Sequence, residues 1–129
     1  ESYQSHYTKN SVLAGAQKTL IFTYPSGGAS ETSYIMVERF CITDVSIILQ
    51  GAGTTGDSIQ ILDKNNAAIT NAIDISGGSN KDVIRASQIT YPNSNIGNGS
   101  ALKVKGVDGG GADMPEALVV ISGLNMSDS

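Results

Sequence analysis

Apolar and polar residues alternate most densely between Phe40 and Ile75. Apolar residues recur at every second position over 45–49 and again over 59–61, with a turn-rich segment, 51–56, between them. Successive residues of a β-strand point to opposite faces, so this spacing places the apolar side chains on one face of a sheet. Glycine and threonine in the middle segment are typical of a tight connection between antiparallel strands. We therefore predict a central β-hairpin, followed by a third strand.

The apolar parity shifts by one residue inside the first of these runs. Phe40 and Ile42 occupy even positions, whereas the apolar residues of 45–49 occupy odd ones. A strand that slips by one residue turns its core face towards solvent. A β-bulge near Thr43–Asp44, or a break into two strands there, restores the alignment.

Shorter β-rich runs predict further strands on either side of this region. They cover 19–24, 33–40, 67–75, 101–107 and 116–122. The last run is almost uniformly apolar, which is typical of a central strand covered on both faces. Residues 81–89 instead predict one or two helical turns, capped by Ser79 or Asn80. Val83 and Ile84 would then face inward.

About seven or eight strands, with turn residues between them, predict an all-β domain. The predicted architecture is a single antiparallel β-sandwich or jelly roll with one short helical segment. A chain of 129 residues suits one such domain and can bury its core without a disulfide or a metal. We place this domain at 19–124, after an N-terminal arm, 1–18, and before a C-terminal tail, 125–129.

Charge and hydropathy exclude two classes of partner. The net charge is −4, and the eight basic residues are scattered along the chain, so phosphate-based nucleic-acid binding is not expected. No run approaches the length of a membrane span, so no membrane is expected either. The sequence begins at Glu1 rather than methionine and shows no signal peptide, so we expect a processed or trimmed form.

The residues that usually carry nucleophilic catalysis are scarce. His6 is the single histidine and lies near the start of the chain, where no spacing pairs it with a nucleophile and a carboxylate. Cys41 is the single cysteine, and its apolar neighbours indicate a small buried side chain rather than a reactive thiol. We therefore predict that the chain is not an enzyme.

Paired carboxylates give a weak alternative to a non-enzymatic role, namely a small hydrolase. The candidate acids on predicted strands are Glu38, Asp44, Asp57 and Glu116. Asp44 and Asp57 fall at the ends of the predicted hairpin strands, where they either approach each other or are simply solvated. No catalytic residue is assigned.

Calcium is the metal that the oxygen-rich loops would suit. Asp63-x-Asn65 and Asp108…Asp113 have suitable residue types but do not match an EF-hand, and aspartate and asparagine are common turn formers. No metal or cofactor is assigned.

Two segments are candidates for contacts with other proteins. The N-terminal segment carries aromatic and apolar side chains in a polar background, which fits either an arm on a neighbour or a frayed terminus. A run of three glycines leaves the backbone almost without restraint, and such a loop is either mobile or becomes ordered on a partner. The candidate assembly contacts are Tyr3, His6, Tyr7, Val12, Leu13, Gly109, Gly110 and Gly111.

The order of features from Gly56 onward resembles that of small bacteriophage virion proteins. The runs are GDSIQILDKNNAAITNAIDIS and DVIRASQITYPNSNIGNGSALKVKGVDGGGADMPEALVVIS. They combine a Gly-Asp that opens a strand, an Ile/Asp strand, a short helical piece, an "I…G..L.V" strand and a final apolar strand. This pattern is similar to that of the β-sandwich decoration, or cement, proteins of tailed-phage heads.

The resemblance implies a structural protein of the virion, on the capsid surface, without catalysis. It implies the major capsid protein or other virion proteins as partners, and assembly as trimers or other clusters, with contacts through terminal arms and loops. Two alternatives stay open: a carbohydrate- or surface-binding β-sandwich module, with or without calcium, and a fibre or tail component. The absence of tryptophan weighs against the carbohydrate module, because sugar rings usually stack on exposed aromatic side chains.

Overall fold

The computed structural model describes residues 16–27, 33–36, 39–91, 93–97, 100–110 and 113–125. These residues form nine β-strands and no helix. The strands are β1 (Ala16–Tyr24), β2 (Ser33–Met36), β3 (Phe40–Leu49), β4 (Ser58–Asp63), β5 (Ile73–Asp74), β6 (Val83–Arg85), β7 (Asn95–Ile96), β8 (Ala101–Val107) and β9 (Ala117–Asn125).

The strands form two antiparallel sheets. Sheet A has the order β1-β9-β3-β6, and β7 also pairs with β3. Sheet B has the order β2-β8-β4-β5. Side chains from both sheets belong to one hydrophobic cluster, so the molecule is a two-layer β-sandwich. The predicted all-β class is confirmed.

The core is built from every second residue of the central strands. Because one face of each strand points inward, the alternation in the sequence becomes an alternation of buried and accessible side chains. The buried residues of the four central strands include Val45, Ile47, Leu49, Ile59, Ile61, Leu102, Val104, Val119 and Ile121. The buried positions of β3, β4 and β8 are those that the alternation in the sequence predicted, whereas β9, which was expected to be covered on both faces, buries only every second residue.

A β-bulge lies where the parity shift predicted it. The register between β3 and β9 shifts between Ile42 and Asp44. Thr43 is the extra residue, and its hydroxyl donates to the carbonyl oxygen of Ser122, 3.3 Å away. The bulge lets apolar side chains on both halves of β3 face the core, and Phe40 at its start is only 2% exposed.

The predicted hairpin between β3 and β4 is wrong. β3 lies in sheet A between β9 and β6, whereas β4 lies in sheet B between β8 and β5. The connection 50–57 therefore crosses from one sheet to the other. Both strands present apolar faces, and crossing lets these faces pack against each other across the core instead of lying side by side. A glycine-rich connection suits either geometry, so its composition cannot distinguish them.

The predicted helical segment is also absent. Residues 83–85 form β6, and Ile84 lies opposite Ile47 of β3. Ile84 packs against the core, whereas Val83 is 60% exposed and points outward rather than inward. The cause is the free edge of β3, whose backbone groups need partners. The polar residues before β6 form a turn, in which the Ser79 amide donates to Asp82 Oδ2, 2.8 Å away.

The strand connections gather at two ends of the sandwich. The glycine end contains the connections 50–57, 75–82, 108–110 and 113–116, which follow or precede the strand ends near Leu49. The asparagine end contains the turn 64–67 after β4 and the segment around β7.

Candidate interaction surface

Only two of the candidate assembly contacts lie among the described residues, namely Gly109 and Gly110. The others, Tyr3, His6, Tyr7, Val12, Leu13 and Gly111, lie outside them, so the arm stays a prediction. β1 begins at Ala16, and residues 16–18 of the segment assigned to the arm pair with β9.

The loop that contains Gly109 is fastened to the connection between β3 and β4. Asp57 Oδ1 accepts a hydrogen bond from the Gly109 amide at 3.0 Å. Asp57 Oδ2 accepts two more from Thr54, from its amide at 3.0 Å and from its hydroxyl at 2.8 Å. A Cβ on Gly109 would overlap the carbonyl oxygen of Thr55, so the two backbones are in close contact. The expected lack of restraint is therefore wrong at Gly109, which is held without any partner protein.

The Asp57 carboxylate is suited to this structural role rather than to proton transfer. The residue is fully buried. Burial raises the pKa of Asp57, but the hydrogen bonds from Gly109 and Thr54 outweigh it, so the net pKa lies below the ordinary value. An ionised carboxylate with three donors on it accepts no further proton near neutral pH.

The other acidic candidates are dispersed. Asp44 Oδ2 accepts from Arg85 Nη2 at 2.5 Å on sheet A, whereas Asp57 binds Thr54 and Gly109. Of the two alternatives for this pair, the approach of Asp44 to Asp57 therefore does not occur. Glu116 is exposed beside the start of β9, and Glu38 lies outside the described residues. The described carboxylates do not converge on a common point.

The calcium candidates act as turn formers where they are described. Asp63 Oδ1 accepts from the amides of Asn65 and Ala67, both at 2.8 Å. Asp108 Oδ1 accepts from the Gly110 amide at 2.9 Å. Within the described part of the chain, no three His, Cys, Asp or Glu residues are grouped as a metal site would require.

The outer face of sheet A carries a continuous strip of apolar side chains that crosses four strands. Ile21 on β1 lies opposite Val120 on β9. Two residues along β9, Leu118 lies opposite Ile48 on β3, which in turn lies opposite Val83 on β6. We name these five residues the outer patch. Ile21 is 67% exposed and Val83 60%, whereas the other three are half-buried.

The outer patch has few charged neighbours. Polar neighbours on the same face include Thr19, Thr23 and Ser122, and the Asp44–Arg85 ion pair balances its own charge. Glu116, exposed and two residues before Leu118, adds one negative charge at the edge of the patch. Four strands about 4.8 Å apart make the patch about 14 Å wide, with an area on the order of 300 Å². Patches of this size on a soluble protein are often functional.

Sequence reasoning placed three residues of the outer patch, Val83, Leu118 and Val120, inside the molecule. The apolar run of β9 indicated a central strand covered on both faces, and β9 is indeed central, between β1 and β3. However, no described element covers its outer face, where Leu118 and Val120 are half-buried. Cys41 likewise lies on the outer side of β3, half-buried rather than buried. A strand with two apolar faces in a sandwich of only two layers is the signal of such a surface.

Among the described residues, no helix is long and apolar enough to cross a membrane.

Comparisons with known proteins give one informative likeness. No protein-family model matches the chain, and no curated protein sequence does. A chain of the solved structure entitled "Cyanophage Pam1 capsid asymmetric unit" is similar over 86% of its own length and 86% of this chain, with a TM-score of 0.58 and 11% sequence identity. At this identity the likeness concerns the fold. The two-sheet fold is therefore one that also occurs in a phage capsid.

Proposed function

We propose that the chain is a structural protein of a phage particle, a decoration (cement) protein that binds the capsid surface at subunit interfaces. The observation that carries the proposal is the likeness to a chain of the cyanophage Pam1 capsid asymmetric unit, which extends over 86% of both chains. The feature order from Gly56 onward, which resembles phage decoration proteins except for the short helical piece that 83–85 replace with a strand, supports the same class. The partners are the major capsid protein or other virion proteins, and the chain assembles as a homotrimer.

The outer patch supplies a contact of the kind that this role needs. Covering its exposed aliphatic side chains with a partner is favourable, because apolar surface then leaves water. The Asp44–Arg85 pair beside it adds no net charge to the interface. Its area is well below the roughly 800 Å² per partner of a standard stable interface. One such contact is therefore weak, and a capsid lattice that offers many equivalent sites would strengthen it through multivalent binding.

The proposal assigns no catalytic step and no cofactor to the chain. Asp57, the buried carboxylate, is occupied by three hydrogen bonds from its own loops. Asp44 is paired with Arg85 on the open face of sheet A.

Purified particles provide the direct test. We expect the chain to be recovered by mass spectrometry from gradient-purified particles, and to be present in isolated heads rather than isolated tails. Recombinant chain should co-sediment with particles that lack it and should raise the temperature at which they rupture. Recovery with tails instead would indicate the fibre or tail alternative, and absence from every particle fraction would overturn the proposal.

A matched pair of variants tests the role of the outer patch. Ile21→Lys places a charge in the patch, whereas Thr19→Lys places the same charge two residues away on the same face of β1. Both side chains are exposed, so both variants should fold. We expect co-sedimentation with particles to fall about tenfold or more for Ile21→Lys, because an ammonium group buried at an apolar interface is costly. Thr19→Lys should bind nearly as the unmodified chain does, and equal binding by both variants would exclude the patch as a contact.

A further inference from the structure

A cleft opens between the two sheets at the asparagine end, away from the glycine loops. Its volume is about 160 Å³. The turn after β4 and the start of β8 line it from sheet B, and the segment around β7 lines it from sheet A. Ile96 lines it but is only 4% exposed. The lining also includes four amide and hydroxyl side chains, those of Asn65, Asn93, Asn95 and Ser100.

The wall from sheet B is fixed by its own hydrogen bonds. Asp63 Oδ1 accepts from the amides of Asn65 and Ala67, which closes the turn. The amide of Asn66 donates to the carbonyl oxygen of Asp63, at 3.0 Å. Lys103 Nζ donates to Asn66 Oδ1 at 2.7 Å and ties the turn to β8.

The wall from sheet A is fixed in the same way. Asn93 Nδ2 donates to the carbonyl oxygen of Ala68 at 2.8 Å, which joins the two walls. The carbonyl oxygen of Ser94 accepts from the Ile42 amide at 2.9 Å, and the Ser94 amide donates to the Thr90 carbonyl oxygen at the same distance. The backbone of both walls is therefore held in place by hydrogen bonds, and a ligand pays little to order it.

The polar groups of the cleft remain available to a ligand. The side chains of Asn65, Asn95 and Ser100 make no hydrogen bond to any described residue. Each amide offers donors and an acceptor, and a hydroxyl offers one donor and acceptor sites. Ligand hydroxyl groups, which both donate and accept, match this set.

Charge and size narrow the class of ligand further. Among the described residues the cleft holds one carboxylate, Asp63, and one ammonium group, Lys64, so their formal charges balance and favour neither anions nor cations. No described aromatic side chain lines it, so the described lining offers no stacking platform for a nucleobase or for the face of a sugar ring, and binding rests on hydrogen bonds. Its volume lies below the range of about 300–1,000 Å³ typical of pockets for drug-sized ligands. The cleft is suited to one compact ring.

We propose that this cleft binds one unit of a neutral saccharide, such as a hexose ring at the end of a glycan. The ring hydroxyls bond the amides of Asn65, Asn93 and Asn95 and the hydroxyl of Ser100. The site lies at the opposite end of the sandwich from the glycine loops and does not depend on the outer patch. It gives the chain a binding activity beyond its proposed structural role.

Amide chemical shifts of the uniformly ¹⁵N-labelled full chain test the proposal. The probes are free glucose, galactose, mannose and N-acetylglucosamine, titrated one at a time. We expect at least one of them to produce saturable shifts confined to 63–65, 93–97 and 100–101, with a dissociation constant of about 1 mM, as is reasonable for a single ring held by a few hydrogen bonds. Asn65→Ala and Asn95→Ala should each weaken binding about 3- to 10-fold, because each removes hydrogen bonds that a neutral ligand makes.

The controls separate this site from non-specific effects. Asn80→Ala removes an exposed amide at the glycine end and should leave the affinity unchanged. Glycerol and inorganic phosphate are titrated in parallel. Equal shifts with glycerol would mean an adventitious polyol only, and binding of phosphate without any hexose would mean an anion site, so either result overturns the proposal. No saturable shift with any of the four sugars also overturns it, and none of these results bears on particle binding.

Discussion

Asp57 is the residue that joins the loops of the glycine end. Its two carboxylate oxygens accept hydrogen bonds from two segments that lie far apart in the sequence, at Thr54 and Gly109. Its backbone takes part as well, because its carbonyl oxygen accepts from the Ile75 amide at 3.1 Å. Three connections that arise from both sheets therefore converge on one residue, and their relative positions depend on it.

Asp57→Asn tests this junction without changing the side-chain volume. An amide presents one acceptor oxygen and one NH₂ group, so at least one of the three donors loses its partner and faces another donor. We expect the free energy of unfolding to fall by about 2–3 kcal/mol, the scale of a hydrogen bond to a charged group. Urea denaturation measures the change. Asp113→Asn, at an exposed position of the same end, is the control and should change stability by less than about 0.5 kcal/mol. Equal losses for the two variants would contradict the assigned role.

The lowered pKa of Asp57 predicts how stability depends on pH. Burial raises the pKa of Asp57, but the hydrogen bonds from Gly109 and Thr54 together lower it by more. The pKa in the folded chain therefore lies below the ordinary 3.8. Between the folded and the ordinary value the unfolded chain binds more protons, so the contribution of Asp57 is complete above the ordinary pKa and is lost as the pH falls through the folded pKa. We expect the stability difference between the unmodified chain and Asp57→Asn to be constant from pH 7 to about pH 5 and to shrink in more acid solution. A difference that grows towards acid pH would have the wrong sign.

Single elements differ in how far the sequence predicted them. The bulge in β3 was predictable because a parity shift is visible in the sequence, and a one-residue slip would expose a whole apolar face. The neighbouring strands of β3 and β4 were not predictable. Alternation indicates which face of a strand is buried, but not whether the next strand lies beside it or across the core. The conformation of β6 was wrongly predicted for a related reason. Three residues are too few to establish a period, and the free edge of β3 determined their conformation.

The interaction sites were less predictable than the strands. Predicting the outer patch requires knowing which strands are neighbours, because its five residues come from four strands. The cleft at the asparagine end could not be predicted without the strand arrangement, because 63–65 and 93–97 come together only when both sheets have formed. For the loop that contains Gly109, composition indicated a backbone with little restraint. It did not indicate that Asp57 would hold this loop in place.

The close approach of two connections predicts the effect of a methyl group on Gly109. In Gly109→Ala the new Cβ overlaps the Thr55 carbonyl oxygen and the Gly56 backbone, so the loops must separate. We expect a loss of about 1–3 kcal/mol in the free energy of unfolding, typical of overpacking. Gly97→Ala is the control, because its Cβ would meet only the Ser100 hydroxyl at an ordinary 3.5 Å and should be nearly neutral. A nearly neutral Gly109→Ala would mean that the loop is free to move away from Asp57.

The whole molecule separates its proposed tasks by position. The core and the junction at Asp57 maintain the sandwich, the outer patch faces away from the core on sheet A, and the saccharide cleft opens at the asparagine end. A protein on a repeating shell can therefore contact its neighbours through one face while an end of the sandwich remains accessible. In such an arrangement, changes to one surface should leave the other unaffected.

The predicted arm, 1–18, overlaps β1, which begins at Ala16. Residues 16–18 pair with β9, and Lys18 lies opposite Gly123, so a deletion of 1–15 leaves the strand complete whereas a deletion of 1–18 shortens it. If residues 1–15 are an arm that contacts neighbouring subunits, their removal should change the free energy of unfolding by less than about 0.5 kcal/mol. The longer deletion should cost about 1–2 kcal/mol more, because three residues leave the ladder.

Light scattering and sedimentation then separate the arm from the outer patch. The full chain should elute as a trimer, and the 1–15 deletion should lose either the trimer or the co-sedimentation with particles while it retains the unfolding midpoint of the full chain. Ile21→Lys, in contrast, should retain the trimer and lose particle binding, because the outer patch is too small to hold a stable oligomer by itself. If the deletion retains both trimer and particle binding, residues 1–15 are an ordinary terminus, and the contacts of the sandwich alone must account for assembly.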